Sequence, residues 1–344
     1  MRALTLPTPR DTVTSRPRIR CDASTSSNDA PRRVGRIKSI ETFPLKGARG
    51  VSIEQTTVHI GTSVPRDREF ALLRSENEER WGSDDVEASA GRILRTGEKK
   101  DEGHHSNKHL FHQLITDPSL AKYRGIAIGS RGLAIECAQS GEVLVRCEDY
   151  DEDASGRRAI ETFFASRLET ARAEAPPTLT RAEGHSFTNV GGRPKEHVLH
   201  INTVPSVRAV YDACTKSAPE GMRETLDEFA MRFRPNIVVE DESGRLRAFD
   251  EFEWCNRNVR IGSKCVLRVN EPTIRCPSTR VRYEDSETDV ARPDVDIRTD
   301  FPDLRASIFG RDAIELASKG SYLGLYAVAI VPGSIEVGDD VYVL

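Results

Sequence analysis

The sequence predicts a mainly β protein with some α-helix, an α+β fold around a barrel-like β core. Three observations lead there. Short runs alternate apolar and polar residues at period two, as half-buried strands require. Turn signals separate these runs at close intervals. Few stretches between them carry the spacing of a helix, which is the pattern of a closed or nearly closed β structure.

Taken in order, "VGRIKSIETFPLKG" and "VSIEQTTVHIG" read as strands that stop at Pro44 and Gly61. "REFALLR" reads as a third. Residues 75–108 are charged and aperiodic, which predicts a long surface insertion. "GIAIGSRGLAIECA" predicts a hairpin turned at its Gly-Ser-Arg-Gly centre. "GRRAIETFFASRLETA" places Ile160, Phe163, Phe164 and Leu168 on one helical face. Residues 175–193, rich in Pro, Gly and Thr, read as a connection. Beyond it, "HVLHI", "NIVVE", "LRAF", "NVRIG" and "CVLRVNE" are strand candidates, and "VPSVRAVYDAC" and "TLDEFAMRF" are helices. The acidic, proline-punctuated stretch from Tyr283 predicts a surface loop, and "GLYAVAIVPGSIEVGDDVYVL" predicts two β runs joined at "PGS".

With 344 residues the chain holds one large or two modest domains. Its 50 Lys+Arg nearly balance 54 Asp+Glu, so the whole molecule offers no global attraction to nucleic acid or anionic lipid. No apolar run approaches the roughly 20 residues that cross a bilayer, so no integral membrane segment is expected. The 7 cysteines form no C-x-x-C pair, which argues against a structural zinc site and for free thiols in a reducing compartment. Residues 1–33 are arginine- and serine-rich, with no lysine and no glutamate. That composition predicts an import leader, for a plastid or alternatively a mitochondrion; a plain disordered tail has the same signature.

Candidate site residues gather at expected strand ends. Lys46 lies in the turn "PLKG", Arg68 in "PRDREFAL", and Arg234 and Asn236 in "RFRPN", where Pro235 fixes the backbone before a strand. Arg275 precedes Cys276 in "TIRCP". A guanidinium beside a thiol favours the thiolate, the nucleophilic and metal-binding form. Lysine and arginine forks from separate strand ends can converge on one anion. By contrast, the cluster His104, His105, His109 and His112 sits in a charged, glycine-containing stretch without carboxylate or cysteine partners, and reads as a solvated loop. Neither a phosphate-cradling P-loop nor a G-x-S-x-G elbow occurs.

The order "PLKG", "PRDREFALL", "RFRPNIVV", "VRIG", "IRC" and "PGSIEVGDDVYV" resembles the molybdenum cofactor sulfurase C-terminal (MOSC) domain preceded by its N-terminal β-barrel partner, as in the mitochondrial amidoxime-reducing component. The resemblance implies a small β-barrel-like domain over 34–174 packed on a MOSC barrel over 194–344. It implies molybdenum cofactor (molybdopterin), with Cys276 as the metal-binding and catalytic thiolate. Lys46, Arg68, Arg234, Asn236 and Arg275 would hold the cofactor's anionic part. It further implies a molybdenum-dependent oxidoreductase that reduces N- or S-oxygenated small molecules with electrons from a separate heme or flavin protein. The alternative is a sulfur carrier or cofactor carrier without reductase activity. The chain departs from the reductase pattern at Gly47, at Pro194-Lys195-Glu196 and at Thr273, which favours cofactor binding over amidoxime reduction specifically.

Overall fold

The computed structural model describes residues 30–74, 110–171, 176–182, 187, 198–215, 224–275, 277–283 and 322–344. Residues 1–29 of the expected leader, the insertion over 75–108, residues 194–196 and three of the four clustered histidines lie outside these residues, as does Cys276. Arg32 and Arg33, counted with the leader from the sequence, begin the first strand.

Eighteen strands and helices carry the described fold. The first half contributes β1 (Arg32–Thr42), β2 (Val51–Ile53), β3 (Gln55–Val58), β4 (Phe70–Leu73), β5 (Tyr123–Ile128), β6 (Gly132–Cys137), β7 (Val143–Cys147), α1 (Ala154–Ala165) and β8 (Thr178–Arg181). The second half contributes β9 (Leu199–Thr203), α2 (Val204–Thr215), α3 (Leu226–Met231), β10 (Ile237–Glu240), β11 (Asn258–Ile261), β12 (Cys265–Ile274), β13 (Tyr322–Val331), β14 (Gly333–Glu336) and β15 (Asp340–Val343).

The central sheet runs β10-β9-β13-β12-β11-β15-β1, and a further ladder between β1 and β10 closes it into a ring. Only β9 and β10 run parallel in this ring, and the chain crosses between them through α2 and α3, as a parallel pair requires. A capping box starts α3: the Thr225 hydroxyl accepts from the Glu228 N–H while Glu228 reaches back to the Thr225 N–H. Inside the ring Ile37, Ile40, Leu199, Ile201, Ile237, Leu267, Leu325, Ala327 and Val341 pack together with the α2 residues Val207 and Val210. Burying each such aliphatic side chain contributes about 1.5–3 kcal/mol before the entropy of ordering is subtracted.

A second core lies beside the barrel. The hairpin β5–β6 continues into β7, while β4 pairs with β8 and bridges at Leu45–Phe70 and Arg49–Arg124 tie these small ladders to the barrel's loops. Among the described residues no continuous ladder closes this half on itself. Helix α1 is capped by the Asp153 side chain, which accepts from the Gly156 N–H, and buries Ile160 and Phe164. Tyr123, Phe163 and Phe164 meet edge to face, at centroid separations of 5.1–5.5 Å.

Several sequence expectations need correcting. Thr178–Arg181, read as part of a connection, is a strand, because its Leu179 fills the second core and its ladder completes β4. "LRAF" forms no strand: Phe249 takes a left-handed backbone (φ 66°) and starts the short 3-10 helix Asp250–Trp254. The chain also crosses between the two cores. Strand β1 is a stave of the barrel, and Val281 and Tyr283 from the second half pack into the core of the first. The run "VSIEQTTVHIG" breaks into two strands, β2 pairing with β1 and β3 with β14, and the C-terminal run after "PGS" divides into β14 and β15. Strand β7 is not among the runs read from the sequence. The hairpin at Gly129–Gly132, the remaining strands and the three helices fall where the periodicity places them.

Candidate cofactor site

The end of β1 meets the start of β10, and β9 runs parallel to β10 from the same side. Strand β13 is antiparallel to β9, so its start, together with the end of β12, lies toward the far end of the short β9. Lys46 follows β1, the Arg68 turn precedes β4, Arg234 and Asn236 lead into β10, and Arg275 follows β12. Contacts across the barrel still bring five of the six predicted site residues to one cationic rim. Arg275 reaches the Phe233 carbonyl, next to Arg234, and Arg68 reaches the Arg234 carbonyl, two residues before Asn236. Lys46 reaches the carbonyl of Phe187, whose N–H donates to the Arg68 carbonyl. The sixth, Cys276, is the next residue after Arg275 in the chain.

Arg68 and Arg234 share one aromatic platform, with guanidinium carbons 5.1 and 4.3 Å from the Phe43 ring centroid. Arg68 donates to the Arg234 carbonyl at 3.3 Å and to the buried carboxylate of Asp67. Asp67 is itself fixed by the Phe43 N–H at 2.9 Å and the Ser63 hydroxyl at 3.0 Å. Both arginines have left-handed backbones, φ 53° and 51°, which L side chains adopt only under constraint. Arg234 donates to the Ala48 carbonyl and lies 3.5 Å from the Tyr283 hydroxyl, but its Nη2 is buried without a hydrogen-bond partner among the described residues. Burial and the nearby Arg68 charge lower its pKa, although Tyr283 pulls the other way. A guanidinium held this way, half accessible and crowded by another cation, calls for an anion.

Lys46 is buried and donates to the Phe187 carbonyl at 3.4 Å. Arg275 donates to the carbonyls of Phe233 (3.0 Å) and Leu323, to Asn202 Oδ1 (3.3 Å) and to the His200 ring. His200 is buried, and its pKa falls well below the usual histidine value, first through desolvation and then through the charge of Arg275. The neutral ring thus accepts from Arg275 at Nε2 and leaves Nδ1 to donate to the Arg234 carbonyl, 3.3 Å away. Asn236 plays a supporting part. Its Oδ1 accepts from the His200 N–H at 3.1 Å and its Nδ2 donates to the Glu41 carbonyl at 3.2 Å, lacing β9 to β1 beneath the arginines. One N–H of that amide is left over.

Two glycines shape the rim. Gly324 (φ 74°) lies where a Cβ would sit 2.1 Å from Asn202 Oδ1 and 2.6 Å from His200 Nε2. Gly47 has φ 87°, so a serine there would strain the backbone, and its Cβ would meet Leu120 Cδ1 at 2.8 Å. The departure from serine at position 47 therefore follows from the local conformation. Thr273, the other departure within the described residues, buries a hydroxyl that has no partner among them, and the Asn202 amide Nδ2 is likewise buried without one.

Sequence reasoning missed His200, Asn202, Phe43 and Tyr283. The first two were signalled by polar residues at alternate positions of an otherwise apolar strand, "VLHIN". The described histidine of the cluster, His112, is buried against Asp117 (3.1 Å) and Thr170 (2.9 Å), not solvated as expected. Burial would raise Asp117, but the bonds from His112 and Thr170 outweigh it and hold the carboxyl at about 2. Among the described residues no group of three or more His, Cys, Asp or Glu could hold a metal ion.

A closed seven-stranded β-barrel with a cationic rim is thus the class this chain falls in. Residues 190–342 match the family model of the MOSC domain. Among solved structures it is similar to the YuaD protein from Bacillus subtilis, at 9% identity over 91% of this chain and 98% of that one, with a TM-score of 0.34. It is also similar to YiiM from Escherichia coli, at 15% identity over 45% and 57% of the two chains and a TM-score of 0.24. For YiiM from Geobacillus stearothermophilus the figures are 16%, 43%, 54% and 0.24. The chain thus spans just over half the length of the YiiM proteins. No curated protein matches it.

Proposed function

We propose that this protein binds molybdenum cofactor at the barrel rim and uses it as an oxidoreductase for N- or S-oxygenated small molecules. The MOSC domain ties the chain to a family associated with that cofactor. The observation that carries the reading is the convergence of Lys46, Arg68, Arg234 and Arg275, the last of which precedes Cys276 in the sequence, with a buried guanidinium nitrogen of Arg234 lacking a partner among the described residues.

The donor set fits the group. Arg68, Arg234 and Lys46 supply charge-assisted donors to the cofactor's phosphate, with the spare Asn236 N–H beside them. Cys276 supplies a soft thiolate to molybdenum, and the Arg275 charge next to it favours that ionised form. The bound cofactor would supply two-electron redox chemistry. The chain's own work is to fix the anion, to keep His200 neutral so that it orients Arg275, and to hold the rim rigid through Asn236 and Gly324. Electrons would come from a separate heme or flavin protein, since the sequence carries no motif for either group. The leader over 1–33 would direct the protein to a plastid, with the mitochondrion as alternative.

The alternative, a carrier of sulfur or of cofactor, uses the same rim. Reduction of a simple N-oxide or S-oxide by the wild-type protein, driven by a dithionite-reduced viologen dye, separates the two. Turnover is expected, and its disappearance in Cys276→Ala; a cofactor-loaded protein that oxidises no dye would leave only the carrier.

A further inference from the structure

A cavity of about 490 Å³ opens on the other side of Tyr283 from the arginine rim, between the barrel wall and the second core. Tyr283 partitions the two spaces: its hydroxyl lies 3.5 Å from Arg234, and its ring lies under Arg49, which lines the cavity, at 5.1 Å. Val51, Ile126, Leu226, Met231 and Val238 make much of the cavity wall apolar.

The charges on that wall are largely cancelled. Lys38 pairs with Asp227, and Arg124 pairs with Glu136 at 3.0 Å. Glu228 is committed to the cap of α3. Arg49 donates to the Ala121 carbonyl at 2.5 Å and stacks on Tyr283. Arg49 thus has no acidic partner among the described residues, and Glu41 is the buried acid of the wall. It is 3% exposed, it lines the cavity, and its carboxylate receives Ser52 at 2.9 and 3.0 Å, with no basic partner among the described residues. Hydroxyl donors alone leave a buried carboxylate short of the stabilisation that a cation gives.

We infer that this cavity is a binding site for a small amphipathic cation, whose ammonium or amidinium head meets Glu41 and whose apolar body lies along Ile126, Val51 and Met231. Volume, an apolar wall and one uncompensated buried acid are the usual ingredients of such a site. The inference stands apart from the molybdenum reading, because none of its residues is assigned to the cofactor.

The test is calorimetric titration of the full chain with 2-phenylethylammonium and, separately, with 3-phenylpropanoate, an anion of similar size. Saturable millimolar or tighter binding of the cation and none of the anion is expected. Glu41→Gln keeps the side-chain volume and an acceptor for Ser52, and should weaken the cation by about tenfold or more, the worth of a charge-assisted contact. Ile126→Trp fills the cavity without touching its charge and should also lose the cation. Absence of cation binding to the wild type, preference for the anion, or unchanged cation affinity in both variants would overturn the site. Molybdenum content of the same samples reports on the other reading independently.

Discussion

Arg68 and Arg234 each pay for a left-handed backbone, a cost of about 1–3 kcal/mol that no packing need of an exposed loop would justify. The backbone turn aims two guanidiniums across one phenylalanine ring, and on the proposed reading it serves binding. Arg234→Gly should therefore stay folded, within about 1 kcal/mol of wild type by urea unfolding, because glycine adopts that φ freely. The same variant should retain much less pterin, read as the fluorescence of its oxidised release product; full retention would remove Arg234 from the site. Glu251 offers a test by pH. Buried beneath Ser206 (2.6 Å) and Thr203 (3.1 Å), its carboxyl is pushed by desolvation up to about 7, against the pull of those hydroxyls. A raised carboxyl pKa stabilises the folded state below the unfolded value and loses that contribution as pH rises through 7. Glu251→Gln should thus gain stability over wild type between pH 5.5 and 8, by roughly 2 kcal/mol. His200 has the opposite sign, since its lowered pKa costs stability as pH falls below the usual histidine value, and the variant's difference from wild type isolates Glu251.

At the scale of elements, the rim depends on β13 lying bare against β9. Gly324→Ala would drive a Cβ into the Asn202 amide and the His200 ring and hold a strained φ. We expect a loss of about 1–3 kcal/mol in denaturant unfolding together with lowered molybdenum retention. Unchanged stability would show that the strand can shift. Elements were the level most legible in the sequence. Period-two runs placed almost every strand, and helical spacing placed α1 with Phe164 inward. What failed was local: Thr178–Arg181 is too short to show alternation, and "LRAF" has strand composition but Phe249 turns the backbone over. The site was legible in part. Lys46, Arg68, Arg234 and Arg275 could be nominated because each stands at a strand end beside a turn residue. His200 and Asn202 were hidden because a buried polar residue acquires meaning only once its neighbours are known.

The whole molecule is two cores laced together by the chain. Strand β1 starts the sequence of the first half yet closes the barrel of the second through ladders to both β10 and β15. Tyr283 returns the favour, buried in the first core and touching Arg234 at the rim. No local pattern encodes such an exchange. A chain that begins at residue 44 should consequently fail to form a cooperative β signal by circular dichroism, although every other barrel strand is present. A sharp thermal transition there would mean that the barrel closes without β1. Among the described residues no helix is long and apolar enough to cross a membrane. The balance of charge leaves the cationic rim as a local feature, so anion capture rests on those few side chains and not on the molecule's field.

The most direct test is elemental analysis of the purified protein and of Cys276→Ala, produced side by side in a host that makes the cofactor. The account predicts close to one molybdenum per wild-type chain and a near-complete loss in the variant, with the fold intact by circular dichroism. A folded wild-type protein without molybdenum, or a variant that keeps its full complement, would contradict it.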